Sequence, residues 1–410
     1  MHHLSFLNPG HFHAALTLRA ANPRVHPTIH VYAPGGPDLA AFLALVGSFD
    51  HRAWDLSVHA GPNALQRLIA ERTGDRVVLA GRNDAKLSAI AALHQAGFAV
   101  LADKPWIVGS ADLGYLDRAT AGAPLAMDMM VTHHDGLVRL RQCIVATASV
   151  FGSFDGSPAI TFDSVHHLVK QVNGETLRRP PWYYDVRVQG DGMVDIQSHM
   201  VGQVQDLIGP DRAWDFDRDV VIDEARRWTT AVPLALYQDS TGEAEIPPAL
   251  SEAGPDGVLD LACNGEIKYR ILGHEVRQTA IWEPREPVGG GDTTQMIIRG
   301  SGAKLVMRQG PETAGKPELH LQPSATDGFD VRVREALPAW RERFPGLDIE
   351  ASDLGFRLRV PTALTPSHEA QFPLLLDTFL DTVETTPAAL TPTIRARYTL
   401  LAKAQEMASA

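Results

Sequence analysis

Short apolar runs alternate with longer amphipathic stretches through the first quarter of the chain. Leu4 to Asn8 opens it as an apolar strand, and Pro9-Gly10 turns the backbone. Ala14 to Ala21 then reads as a helix. Thr28 to Tyr32 reads as a second strand, with Val31 and Tyr32 suited to a pleated surface. Leu56 to His59 suggests a third strand, Ala64 to Glu71 a helix, and Arg76 to Ala80 a buried strand. Asp84 to Ala96 carries a helical pattern that Gly97 stops, as a glycine just beyond a helix does. Phe98 to Ala102 is one more strand. Strands alternating with helices at this spacing predict right-handed crossovers and a parallel sheet. The pattern does not fix the strand order.

The texture changes near residue 127. Alternating segments follow at Ala159 to Val165, Tyr184 to Val188, Gly265 to Leu272, Met296 to Arg299 and Leu305 to Arg308. They predict a large, mainly antiparallel open sheet with one solvated face. Gln238 to Gly257, rich in Pro, Gly, Ser and acids, reads as a surface excursion, and Gly289 to Gly291 as a loop. Two helices close the chain, at about His368 to Val383 and Ile394 to Met407. A length of 410 residues exceeds one ordinary core. We therefore expect an α/β domain over residues 1–126 and an α+β domain over 127–410. The final helices are candidates to pack back on the first domain.

Composition narrows the function classes. Apolar residues at 44% and charged residues at 21% are globular values. The net charge of −12, without a basic run, offers no footprint for nucleic acid or an anionic membrane. Cys143 and Cys263 stand alone, so neither a disulfide framework nor a thiolate metal motif is expected. The N-terminus lacks a signal-peptide pattern, and no run of 18 apolar residues occurs. A soluble, cytoplasmic protein is the expectation.

Three segments carry candidate chemistry. The first is Asn8-Pro9-Gly10-His11-Phe12-His13-Ala14 after the opening strand. A dinucleotide loop needs a tight turn, close backbone approach to the pyrophosphate, and a helix start aimed at the charge. Gly10 can be the close-approach glycine, but Asn8 and His13 replace the first and third glycines, and an ordinary strand-turn-helix fits equally well. His11 and His13, two apart near a turn with no nearby thiolate or carboxylate, are read as loop residues beside the cofactor phosphates, and no metal site is expected. The second segment is Asp103-Lys104-Pro105 beyond a parallel strand, where open α/β sheets bind ligands. An exposed turn lysine is the alternative. The third is Gly190-Asp191-Gly192-Met193-Val194-Asp195-Ile196-Gln197-Ser198-His199. If the chain is helical from about Val194, Asp195 and His199 share one face as an acid/base pair or as a structural pair. The glycines before them would allow close approach to a ligand.

Together these segments resemble the glucose-fructose oxidoreductase and inositol dehydrogenase family (Gfo/Idh/MocA), in a divergent branch of putative oxidoreductases. The resemblance rests on Gly10, on Asp103-Lys104-Pro105 in place of Glu-Lys-Pro, and on Gly190-Asp191-Gly192 leading to Asp195 and His199. Gln197 stands where the family has glycine, and Arg82-Asn83-Asp84 resembles the family's loop after the fourth strand. The resemblance covers the whole chain. It implies a Rossmann domain over residues 1–126 that binds NAD or NADP, and a substrate-binding domain over 127–410 whose sheet face builds a homo-oligomer. It implies cofactor contacts from Asn8, Pro9, Gly10, His11, Phe12, His13, Arg82, Asn83, Asp103 and Lys104. The second strand ends without a carboxylate, so Asp38 is the candidate for the adenosine ribose.

His166, His167, Lys170, Arg179, Trp182 and Tyr183 precede the third segment. Aromatic platforms with cationic donors suit a sugar-like ligand, though a core tryptophan with solvated arginines reads as well for any one of them. The expected reaction is hydride transfer between a nicotinamide and a secondary hydroxyl of a sugar, glycoside or cyclitol. His199 takes the hydroxyl proton, Lys104 stabilises the alkoxide, and Asp195 orients His199 or holds a hydroxyl. Two rivals remain open: redox-neutral cleavage of a glycoside with retained NAD, and a non-catalytic sensor of dinucleotide or sugar.

Overall fold

A computed structural model describes every residue except 52, 123, 173–174, 251–256, 289, 325–327 and 410. Its contacts divide the chain into two units. The first comprises Met1–His134, Asp211–Asp215 and Pro366–Thr399, and the second comprises Asp135–Pro210, Phe216–Thr365 and Leu400–Ala410.

The first unit is built on six parallel strands: β1 (Leu4–Leu7), β2 (Thr28–Ala33), β3 (Asp55–Ala60), β4 (Arg76–Leu79), β5 (Ala99–Ala102) and β6 (Ala126–Asp128). They are ordered β3-β2-β1-β4-β5-β6, the doubly wound Rossmann arrangement. All four residues of both β1 and β5 are buried, which is why these strands appear in sequence as unbroken apolar runs. The helix expected over Ala14 to Ala21 is shorter, spanning Phe12–Leu16 (α1), and the chain leaves it in turns after Thr17. The next helices are α2 (Pro37–Gly47), α3 (Ala64–Glu71) and α4 (Lys86–Gln95), and Gly97 follows α4 at φ +82°.

Helix Gln371–Glu384 supplies Phe372, Leu375, Leu376, Phe379 and Leu380 to the same buried cluster as Leu4, Phe6, Val31, Val78 and Leu101. Burying a side chain of this size contributes roughly 1.5–3 kcal/mol, so these five residues are a substantial part of the first core. Asp128 at the end of β6 and Arg397, 4% and 2% exposed, form a buried ion pair. Tyr398 also donates its hydroxyl to Asp128, and its ring stacks on Trp106 with centroids 5.4 Å apart.

Among the described residues, the large sheet of the second unit has nine strands. In chain order they are β7 (Ile160–Val169), β8 (Val220–Val232), β9 (Leu259–Ile271), β10 (His274–Arg285), β11 (Thr293–Arg299), β12 (Ala303–Gln309), β13 (Glu318–Pro323), β14 (Asp348–Ser352) and β15 (Gly355–Arg359). The sheet runs β8-β9-β10-β7-β11-β12-β13-β15-β14, and only the β10–β7 pairing is parallel. The mainly antiparallel sheet expected from the alternating segments is therefore present.

One expected strand is not. Tyr184 to Val188 spans the end of a 3-10 turn, Pro181–Tyr184, and a short helix, Val186–Gln189. The Asp185 carboxylate caps that helix by accepting from the Arg187 N–H at 2.9 Å, and Gly190 ends it at φ +93°. The acidic excursion begins as a helix, Leu234–Thr241, while residues 251–256 and Gly289 lie outside the described residues. Among the described residues no helix is long and apolar enough to cross a membrane.

Candidate active site

The strand order places a topological switch between β1 and β4, because the chain leaves β1 toward β2 on one side and reaches β4 on the other. Open α/β sheets bind ligands beyond the carboxyl ends of such strands. A cavity of about 600 Å³ lies there, lined among others by Asn8, Pro9, Gly10, Asp38, Arg82 and Lys86. The loop after β1 is pinned from both sides. Asn8 donates its N–H to the Tyr32 carbonyl at 2.9 Å, and His11 donates to Ala80 at 3.1 Å. Asn8 sits at φ +46°, a left-handed conformation that asparagine tolerates better than most side chains. That tolerance lets it stand where the usual loop has its first glycine.

Asp38, in the first turn of α2, does reach this loop: a Cβ on Gly10 would lie 3.1 Å from its Oδ2. Arg82 approaches the same carboxylate oxygen at 3.6 Å. Gly81 is a requirement the sequence reading missed. A Cβ there would come within 2.4 Å of the Asn8 carbonyl, so only glycine lets the loops after β1 and β4 touch. Its position directly after a buried strand was the available signal.

His11, Phe12, His13, Asn83, Asp103 and Lys104 are not among the residues that line this cavity. Three of them meet each other instead. His13 Nδ1 lies 3.0 Å from Asp103 Oδ2, and His11 Nδ1 lies 3.1 Å from the same oxygen. The other oxygen, Oδ1, accepts the Lys104 N–H at 2.9 Å. The reading that no carboxylate stands near the two histidines is thus corrected: β5 delivers one from 90 residues away. Burial drives the His13 imidazole down to about 3 against the pull of Asp103. Burial also opposes charge on Asp103, but His13 and the hydrogen bonds from both imidazoles hold its carboxyl well below the usual range. His368 and Phe372 pack on the His13 ring, with centroids 5.4 and 4.5 Å away.

In the second unit the helix begins at Gln197 and Asp195 precedes it in a run of turns, so the two residues do not share a helix face as expected. Asp195 is 7% exposed and His199 is partly buried. Asp195 acts electrostatically on Tyr183 and on Cys263, raising the pKa of each behind the dominant effect of burial. Gly192 does not open the chain to a ligand. A Cβ there would meet the Asn264 backbone at 2.2–2.5 Å, and Gly192 donates its N–H to Ala262 at 3.0 Å, so it is required for packing on β9.

The expected substrate donors converge on Asp292, which the sequence reading missed. His166 Nδ1 and His167 Nδ1 lie 3.2 and 3.3 Å from its two oxygens, and Lys170 pairs with it. Burial works against its charge, yet His166 and Lys170 hold the carboxyl far below the ordinary range. Buried Arg179 donates to the Leu168 and His167 carbonyls, both at 2.8 Å, and its guanidinium lies over Tyr183 and Trp282 at 4.6 and 4.9 Å. Trp282 is the aromatic centre of this group, with His166 at 4.9 Å and Tyr183 at 5.8 Å. Trp182, next to Tyr183 in the chain, is buried.

Comparison with known proteins places this architecture. Residues 140–409 match the family described as the putative oxidoreductase C-terminal domain. A putative oxidoreductase from Parabacteroides merdae has 32% identity and a TM-score of 0.95, over 100% of this chain and 97% of that one. The chain belongs to this oxidoreductase family. It is a divergent member of the Gfo/Idh/MocA group, as the motifs implied. The fold is shared with more distant proteins of that kind. One is the 3-ketoreductase KijD10 from Actinomadura kijaniata, solved with NADP and TDP-benzene, at 13% identity and TM-score 0.60 over 99% of this chain and 97% of that one. Another is a putative myo-inositol dehydrogenase from Sinorhizobium meliloti, at 13% identity and TM-score 0.57 over 100% and 98%. No curated protein matches the chain by sequence.

Proposed function

We propose that this family member is an NAD(P)-dependent oxidoreductase that transfers hydride to or from a secondary carbinol or ketone carbon of a sugar, glycoside or cyclitol. The observation that carries the reading is the cavity at the β1/β4 switch, lined by Asn8, Pro9, Gly10, Asp38 and Arg82. Its residues fit a dinucleotide. Gly10 lacks the Cβ that would fill the approach to Asp38, whose carboxylate can accept from ribose hydroxyls. Arg82 supplies countercharge beside it, which a 2′-phosphate would use. The volume is within the range of small-molecule sites. The bound nicotinamide would supply the hydride chemistry, and the chain's residues supply binding, field and proton transfer.

Lys104 is assigned the electrostatic role, stabilising the alkoxide. His199 takes the hydroxyl proton, and buried Asp195 positions it or holds a neighbouring hydroxyl. Within the second unit, Tyr183 and Trp282 offer apolar faces for a ring. Because His166, His167 and Lys170 already pair with Asp292, they serve this reading as a preset polar cluster rather than as independent donors.

The test is mass analysis of any dinucleotide released from the purified protein, followed by a sugar and glycoside panel read at the reduced-nicotinamide absorbance. Net reduction with a member of the panel supports the proposal. Product without net reduction would move the assignment to redox-neutral cleavage, and ligand-linked stabilisation without product would make the protein a sensor. Lys104→Met and His199→Asn should each lower turnover at least ~10²-fold while dinucleotide affinity holds.

A further inference from the structure

We propose that His11, His13 and Asp103 form a binding site for a divalent transition-metal ion of the zinc class. Nothing in the dinucleotide reading requires such a site. Its ligand atoms, two imidazole nitrogens and one carboxylate oxygen, all lie within 4.8 Å of one another. The shorter separations, 3.0 and 3.1 Å, run from each Nδ1 to one shared oxygen, Oδ2 of Asp103. Metal–ligand bonds of about 2.0–2.2 Å put neighbouring ligand atoms roughly 3–3.5 Å apart, so an ion needs only small side-chain adjustment here.

The scaffold is fixed. His13 lies inside α1, the His11 amide is tied to Ala80, and Asp103 follows β5, with its amide donating to Leu79 at 2.8 Å. The rings of His11 and His13 stand at 87° with centroids 4.1 Å apart, so they approach the shared point from different directions.

Two imidazoles with one carboxylate suit zinc, cobalt, nickel or ferrous iron, not magnesium or calcium, which take oxygen ligands. Three protein ligands leave at least one coordination position open, the pattern of catalytic rather than structural zinc sites. His368 places a further imidazole 5.4 Å from the His13 ring. The competing account is a carboxylate that only accepts hydrogen bonds from two Nδ1–H groups.

The two accounts separate on full-length, tag-free protein stripped with a chelator and dialysed. Titration with Co²⁺, followed by its visible ligand-field absorption, should saturate at one equivalent, and one equivalent of Zn²⁺ should bleach the band. His11→Gln changes a side chain 31% exposed, so the fold should persist, which a melting curve checks. It should weaken Co²⁺ and Zn²⁺ affinity at least ~10-fold, as should Asp103→Asn. His2→Gln/His3→Gln, which removes the N-terminal histidines, should leave affinity and stoichiometry unchanged. Wild-type protein without saturable one-to-one binding would overturn the proposal. So would binding that survives His11→Gln at full affinity in a folded variant. Both readouts are taken without dinucleotide or substrate, so they stand or fall separately from the proposed reaction.

Discussion

Replacing Arg397 with methionine keeps a long unbranched side chain but strips the guanidinium from Asp128. The carboxylate is 4% exposed, and its remaining partner is the Tyr398 hydroxyl at 3.3 Å. Removing one member of a buried pair leaves an uncompensated charge, which costs about 3–5 kcal/mol. The first unit contains about 170 residues, and for domains of that size each kcal/mol moves the midpoint by roughly 2–4 °C. Arg397→Met should therefore lower the melting temperature of the transition that unfolds the first unit by about 6–20 °C. Scanning calorimetry at neutral pH reads this directly. The paired variant Asp128→Asn/Arg397→Met leaves no stranded charge and should recover most of the loss. The reasoning fails if the single variant melts within about 2 °C of wild type. It fails equally if the paired variant is no better than the single one, because then lost packing and not lost charge compensation sets the effect. A functional echo is expected too, since Tyr398 backs Trp106, two residues beyond Lys104.

Other outcomes follow from single contacts. Gly10→Val puts a branched side chain against Asp38 at the mouth of the cavity, and should abolish dinucleotide binding in isothermal titration while the far-ultraviolet circular dichroism is unchanged. Gly192→Ala forces a Cβ into the Asn264 backbone, and should destabilise the second unit by more than about 3 kcal/mol in urea titration or leave the protein insoluble. Asp292→Asn should destabilise at pH 7. Its folded carboxyl titrates below the unfolded value of about 3.9, so its contribution is present above that pH and the gap from wild type should close as acid takes the solution below it.

The parallel sheet was legible because its central strands are buried on both faces and stand out as apolar runs between helices. The long strands of the second sheet were legible only in part: Ala159 to Val165 and Gly265 to Leu272 fall within Ile160–Val169 and Leu259–Ile271, but Val220–Val232 and His274–Arg285 were not read. Val220–Val232 reads VVIDEARRWTTAV, and most of its residues are exposed or half-buried, so charged side chains on the solvated face mask the alternation. Tyr184 to Val188 failed in the opposite direction. Its tyrosine and valines favour strands, but Pro180 and Pro181 before it and the Asp185 cap within it outweigh them. At the site, Gly10 and Asp38 could be named from the order of strand, turn and helix. The pairing of His11 and His13 with Asp103 could not, because it depends on β1, β4 and β5 lying side by side, and local spacing carries no strand order.

The discontinuity of the first core has a consequence for biosynthesis. A ribosome releases β1 to β6 early, but the apolar face of Gln371–Glu384 emerges more than two hundred residues later. At about 5–20 residues per second, the sheet waits roughly 10–50 s with that side of its core uncovered. Nascent chains are then exposed to premature association, and chaperone dependence should be concentrated in this interval. By the same logic, a stop codon shortly before residue 371 would be felt first at the opposite end of the gene product, as an N-terminal unit that never closes.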